Sequence, residues 1–142
     1  TRGALTLRVL PFVPQEDYDL LLWACDLNFV RGEDSWVRAQ WAGRPFVWHI
    51  YPQDEQLHHK KLRAFLQAYA QALSALHAFM LGWNGAREID DWAAAWTALE
   101  EELPRIAGQA DVWREQVTAH GDLATKLLDF VRELGRAREN RV

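Results

Sequence analysis

Six consecutive residues, Phe46-Val47-Trp48-His49-Ile50-Tyr51, present apolar or aromatic bulk to both sides of an extended chain. A strand with one wet face alternates; one with no wet face is a buried parallel strand that needs helices over both sides. That run alone points to an α/β architecture. Upstream, Leu5-Thr6-Leu7-Arg8-Val9-Leu10 alternates as a partly buried strand does, and Leu27-Asn28-Phe29-Val30 reads as another, ended by Arg31-Gly32. Pro11 and Pro14 punctuate a turn, and Tyr18, Leu21 and Leu22 form a short helical stripe. Ser35 through Ala42 predict a short helix closed by Gly43. Residues 4–53 thus read as a βαβαβ unit, with right-handed crossovers and a three-stranded parallel sheet.

From residue 54 to 142 the texture is helical. Leu62, Phe65, Leu66, Tyr69, Leu73, Leu76 and Met80 recur at three and four, the apolar face of one long amphipathic helix ended by Gly82 and Gly85. Trp92, Trp96, Leu99 and Leu103 follow at helical spacing, and Pro104 is expected to limit or kink that segment. Asp111 is placed to cap a last helix carrying Val117, Leu127, Leu128, Val131 and Leu134, with a charged, fraying tail after Gly135. No repeat and no long linker divides the chain, so residues 1–142 read as a single domain: a short parallel sheet followed by a large helical section.

Composition narrows the function classes. With 49% hydrophobic and 25% charged residues, the 142-residue chain has enough apolar material for a core, which excludes a disordered chain. A net charge of −4 argues against a dedicated nucleic-acid binder. The apolar helical tracts are broken by Gln, Ser and His, which leaves no membrane span. The single Cys25 excludes an internal disulfide and fits the cytoplasm; a small buried residue is expected there. Thr1-Arg2-Gly3 begins without Met or a secretory leader, which reads as the C-terminal part of something longer. Among the eight Trp, Trp92 and Trp96 read first as core, and second as an interdomain face exposed by truncation.

In open parallel α/β sheets, ligands bind at the carboxyl ends of the strands. Three segments should meet there: Phe12-Val13-Pro14-Gln15, Arg31-Gly32-Glu33-Asp34-Ser35, and Tyr51-Pro52-Gln53. Phe12 offers a ring face for a base, and Gln15 offers both a donor and an acceptor to a pyrimidine edge. Gly32 permits a tight turn, and Ser35 lies where a helix starts and backbone N–H groups point outward, a phosphate site. Glu33 and Asp34 would repel a diphosphate, so they should address hydroxyls or a cation. The plainer reading, a helix cap at Asp34 or Ser35, is worth about 1 kcal/mol. The five His residues form no metal pattern; adjacent His58 and His59 should point to different faces of a helix. His58, His59, His77 and His120 read as surface or packing residues, and His49 as a hydrogen-bonded core residue. Arg136, Arg138 and Arg141 read as a solvated helix end.

Residues 26 to 53, Asp-Leu-Asn-Phe-Val-Arg-Gly-Glu-Asp-Ser-Trp-Val-Arg-Ala-Gln-Trp-Ala-Gly-Arg-Pro-Phe-Val-Trp-His-Ile-Tyr-Pro-Gln, closely resemble the signature of the bacterial elongation factor P arginine rhamnosyltransferases (EarP). Leu10-Pro11-Phe12-Val13-Pro14-Gln15 and Leu22-Trp23-Ala24-Cys25 match as well, so the motif stretch covers about a third of the chain; Trp36 stands where many relatives have Phe. The resemblance implies an inverting GT-B glycosyltransferase with two Rossmann-like halves, of which this chain is the C-terminal, nucleotide-sugar-binding one. It implies rhamnose transfer from dTDP-β-L-rhamnose to an arginine of elongation factor P, without a metal or other cofactor. By position, Phe12 and Gln15 resemble the thymine-recognising pair, and Asp34 and Ser35 the residues around ribose and diphosphate. By the same resemblance Tyr51 would lie close to the phosphates, Arg31 would be among the donor-binding residues, and Glu33 resembles the catalytic carboxylate. The N-terminal half, with its partner aspartate, would lie outside this sequence, so the chain alone is expected to fold but not to transfer rhamnose. Two other classes remain open at this point: a non-catalytic nucleotide-binding module, and a helical protein-interaction domain on an α/β scaffold.

Overall fold

A computed structural model of the chain describes residues 3–139. Its elements run α1 (Gln15–Ala24), β1 (Asn28–Arg31), α2 (Glu33–Ala42), β2 (Phe46–His49), a short 3-10 turn (Asp54–Gln56), α3 (Leu57–Tyr69), α4 (Ser74–Trp83), α5 (Trp92–Thr118) and α6 (Leu123–Glu139). β1 and β2 pair in parallel, Asn28 opposite Phe46 and Arg31 opposite His49, with α2 as the crossover. Gly43 closes α2 in the left-handed conformation at φ 63°, as expected of a residue without Cβ at a helix end.

The register sorts side chains onto two faces. Val30, Phe46 and Trp48 lie on one, where Trp36 of α2 stacks on Trp48 at 4.5 Å and Phe65 of α3 meets both Trp48 and Phe46. Phe29 and Val47 lie on the other, toward Phe79 and Trp83 of α4. β2 is thus buried from both sides, which is why its residues need no polar alternation. α5 crosses α4 and α2, burying Leu99 and Ile106, and Trp113 Nε1–H donates to Gln40 Oε1 at 2.8 Å.

The outer edge of β2 is closed by a side chain rather than a strand. Asn84, just past α4, donates from Nδ2 to the Trp48 carbonyl at 2.8 Å and accepts the Ile50 N–H at 2.9 Å. Asn84→Ala leaves both backbone groups without a partner, at an expected cost of about 1–3 kcal/mol. Urea unfolding should show a lower midpoint at unchanged slope; an unchanged midpoint would mean that water replaces the amide.

Several expectations are corrected. Among the described residues Leu5–Leu10 forms no strand, only a single bridge position at Leu5; the described sheet has two strands, and Leu5, Leu7 and Val9 are 66%, 79% and 88% exposed. Alternation makes a segment able to pair, but no described element lies beside this one to complete it, so residues 4–53 run αβαβ. α2 begins at Glu33 rather than Ser35, and β2 ends at His49 rather than Tyr51. The apolar stripe from Leu62 to Met80 belongs to two helices, broken at 70–73. There the buried Glu102 carboxylate accepts the N–H groups of Ala75 and Leu76, both at 3.0 Å, and starts α4 afresh. Pro104 ends nothing; its ring is exposed, and burial of Leu99, Ile106 and Ala110 holds α5 through it. Asp111 lies inside α5 and caps no helix, and the last helix starts at Leu123. α6 carries Leu127, Leu128, Val131 and Leu134 with all four exposed. Arg136 lies in α6 and is exposed; the side chain of Arg138 and the whole of Arg141 fall outside the described residues. Cys25 is exposed, since it sits just after α1, where the chain turns toward β1. No helix among the described residues is long and apolar enough to cross a membrane.

Candidate functional site

Pro14 precedes α1, and its carbonyl accepts the N–H groups of Asp17 and Tyr18, so Gln15 opens the helix with its side chain beside the Pro11–Pro14 turn. The start of α2 comes up opposite. Between them lies a cavity of about 470 Å³ lined by Pro11, Phe12, Val13, Gln15, Tyr18, Asp34 and Ser35. Four expected site residues, Phe12, Gln15, Asp34 and Ser35, therefore share one cleft. The Phe12 ring is wholly exposed and packs on nothing, an available stacking face.

One wall is tied by charge. Gln15 Nε2 donates to Asp34 Oδ2 at 3.2 Å, and Arg38 Nε donates to the same oxygen at 3.2 Å. Arg38 Nη1 also donates to Asp19 Oδ1 and Oδ2 at 2.9 and 3.0 Å, joining α2 to α1. Hydrogen bonding to Asp19, more than any other influence, holds the guanidinium pKa above its usual value.

Arg31, Glu33 and Tyr51 do not line this cavity; they lie near it, where the chain turns at Gly32. This residue takes φ 81° and ψ −174°, a region that side chains disfavour, and donates its N–H to the His49 carbonyl at 3.1 Å. Its own carbonyl accepts Trp48 Nε1–H at 2.9 Å. Tyr51 lies against it so closely that a Cβ on Gly32 would fall 2.6 Å from the ring. Arg31 sits over that ring, 5.0 Å from its centroid, so Arg31 and Tyr51 form a second pair beside the turn. Gly32 also precedes α2 as its cap without a side chain. No described side chain therefore caps the first N–H groups of α2, contrary to a capping role for Asp34 or Ser35. Glu33 is the first residue of α2 and exposed. Gln53 turns away, its N–H donating to His58 Nδ1 at 3.0 Å.

The histidines depart from expectation. His49 is half-buried beside Arg31 in a neighbouring cavity of about 300 Å³, rather than hydrogen-bonded in the core. Burial, then the Arg31 charge, lowers its pKa, so it is neutral at pH 7. The rings of His58 and His59 lie together, 4.1 Å apart, because each turns to a backbone group, Gln53 and Asn84 respectively. Among the described residues no three His, Cys, Asp or Glu side chains gather as a metal-binding group. Trp92 and Trp96 are 45% and 40% exposed, on the rim of an aromatic cluster with Phe29, Phe79 and Trp83. Sequence reasoning missed Tyr18, Asp19 and Arg38. The spacing i, i+3 places Tyr18 on the face of Gln15, a usable signal, whereas the i, i+4 spacing of Asp34 and Arg38 is common to many helices and singles out neither.

A parallel βαβ crossover, a glycine turn into an uncapped helix and a cleft at that end define a Rossmann-like α/β unit. The chain matches, over residues 1–132, the family described as Elongation-Factor P (EF-P) rhamnosyltransferase EarP, and it belongs to that family. It is 50% identical over 134 residues to a protein-arginine rhamnosyltransferase of Pseudomonas aeruginosa, covering 91% of this chain and 35% of the relative. It is 52% identical to that of Pseudomonas putida, covering 93% and 36%. A solved structure described as the structural basis for EarP-mediated arginine glycosylation of translation elongation factor EF-P superposes with a TM-score of 0.78. It is 46% identical and covers 94% of this chain and 42% of that one. The chain thus spans about a third of the length of these curated relatives.

Proposed function

We propose that the cleft binds the nucleotide end of dTDP-β-L-rhamnose, and that the whole protein transfers the sugar to an arginine of elongation factor P. The observation that supports this most is the convergence of Phe12, Gln15, Asp34 and Ser35 on one cavity beside the uncapped start of α2. A thymine stacks on the exposed Phe12 ring and meets the Gln15 amide. The diphosphate takes the first N–H groups of α2, where the helix dipole favours an anion, and Arg31 with Tyr51 closes on it from the other side. Asp34 accepts a hydroxyl. This is the C-terminal half of a GT-B enzyme in the reading, acting in the cytoplasm with its own N-terminal domain and using no metal or cofactor.

The acceptor guanidinium is cationic at any physiological pH and a poor nucleophile until it gives up a proton. In a single displacement, its nitrogen bonds the anomeric carbon as the C–O bond to dTDP breaks, inverting that centre. Glu33, exposed at the turn, faces the acceptor rather than the donor, orienting the cation and accepting the proton that its nitrogen gives up as the new bond forms. The departing negative charge stays with the backbone N–H donors.

Calorimetric titration with dTDP, UDP and GDP tests the site. dTDP should bind in preference. Phe12→Ala should cost about 1–3 kcal/mol of dTDP affinity, as loss of a base-stacking ring does. Gln15→Ala should weaken dTDP while leaving the melting temperature in place. If both variants bind dTDP as the parent does, the base lies elsewhere; if no nucleotide binds the full-length protein, an interaction domain is the better reading.

A further inference from the structure

Asp34 stands in an awkward place for a ligand-binding carboxylate. It is exposed, its rotamer is set by nothing on its own residue, and a diphosphate beside it would be repelled. An i, i+4 partner such as Arg38 does little about this alone, because solvent screens exposed pairs of that kind and holding two long side chains together costs entropy. Arg38 is not alone. Its Nη1 is held by both oxygens of Asp19 on α1, and its side chain is only 22% exposed. The guanidinium is therefore fixed from the α1 side before it meets Asp34. Gln15, also on α1, donates to the same Oδ2 that Arg38 reaches. Two donors thus converge on Oδ2, while Oδ1 accepts from no described residue.

We infer that Arg38 is a positioning residue of the donor site: clamped by Asp19, it holds Asp34 through Oδ2, leaves Oδ1 to accept a ligand hydroxyl, and offsets the carboxylate charge beside the diphosphate. The inference rests on the donor-site reading above. It does not place Arg38 in contact with the ligand. It makes Asp19, which does not itself line the cavity, part of donor recognition, and it explains why α1 and α2 share one charged network at the cleft wall.

The test is a double-mutant cycle in the full-length protein, with dTDP affinity measured by calorimetry and melting temperature recorded on each preparation. Asp34→Asn should weaken dTDP about tenfold, the scale of one lost charge-assisted hydrogen bond. Arg38→Gln should weaken it by a similar factor, yet add almost nothing in the Asp34→Asn background, because its effect runs through Asp34. Asp19→Asn, which touches neither Asp34 nor the cavity lining, should reproduce part of the Arg38→Gln loss and serves if Arg38→Gln folds poorly. Equal losses from Arg38→Gln in both backgrounds, or from Asp19→Asn in both, would overturn the inference and leave a structural tie. Weakening by Asp34→Asn with parental affinity in Arg38→Gln and Asp19→Asn would overturn it too. Parental affinity in Asp34→Asn would instead remove the donor-site reading, and this inference with it.

Discussion

Glu33→Gln in the full-length protein is expected to lower the single-turnover rate of rhamnose transfer by about 10²-fold or more, the range of a lost acid–base group. Donor affinity should stay within a few-fold of the parent. The asymmetry follows from position. Glu33 opens α2 next to the place proposed for the diphosphate, and a carboxylate gains nothing from an anion. Its favourable partner is the arginine that arrives as a cation. A group acting mainly in the transition state shows in rate and not in ground-state binding. The plainer role, a carboxylate at a helix N-terminus, is worth about 0.3–1 kcal/mol and shows as a small fall in melting temperature. An unchanged rate per folded molecule would take Glu33 out of the chemistry.

Gly32→Ala should be the most damaging single-methyl change in the cleft. At φ 81° and ψ −174° the backbone occupies a region essentially reserved for glycine, at a cost of about 1–3 kcal/mol for any other residue. The added Cβ also meets Tyr51 Cε2 at 2.6 Å, so the ring must leave the place in which it packs against Arg31. If the peptide turns instead, the Trp48 Nε1–H loses the Gly32 carbonyl in a buried setting. Either way the start of α2 shifts, and dTDP affinity should fall more than tenfold together with a lower melting temperature. Adding Tyr51→Ala relieves the clash but not the backbone strain, so the pair should recover part of the stability and little of the affinity. Parental dTDP binding by Gly32→Ala would show that the turn does not shape the site.

Part of the cleft was legible because its residues are sequence neighbours with distinct chemistry. The Phe12–Gln15 and Arg31–Ser35 segments each carry a turn signal, and Phe12, Gln15, Asp34 and Ser35 from them line the cleft. Arg38 was not legible as a site residue. An Asp-to-Arg spacing of four is ordinary on any helix, and only the approach of Asp19 from α1 gives it a fixed geometry. The first reading of Trp92 and Trp96, as core, fails for a related reason: helical spacing tells which residues share a face, not how completely that face is covered.

What the sequence determined by itself was what each segment can bury. The unbroken apolar run in β2 required cover on both faces, and the residues after Gly32 required a helix start. Gly43 required a left-handed stop, and the family motif lay in contiguous residues. The tertiary structure decided what local pattern leaves open, namely who the partner is. Leu5–Leu10 has the alternation of a strand but forms no strand among the described residues, because backbone pairing needs a second segment beside it. The stripe from Leu62 to Met80 has the period of one helix and forms two, because Glu102, 27 positions beyond Ala75, supplies the acceptor that starts α4. Pro104 removes a hydrogen bond from α5, and the helix continues because packing against α4 and α2 outweighs that loss. Periodicity is a property of one segment; pairing, distant caps and packing are properties of two.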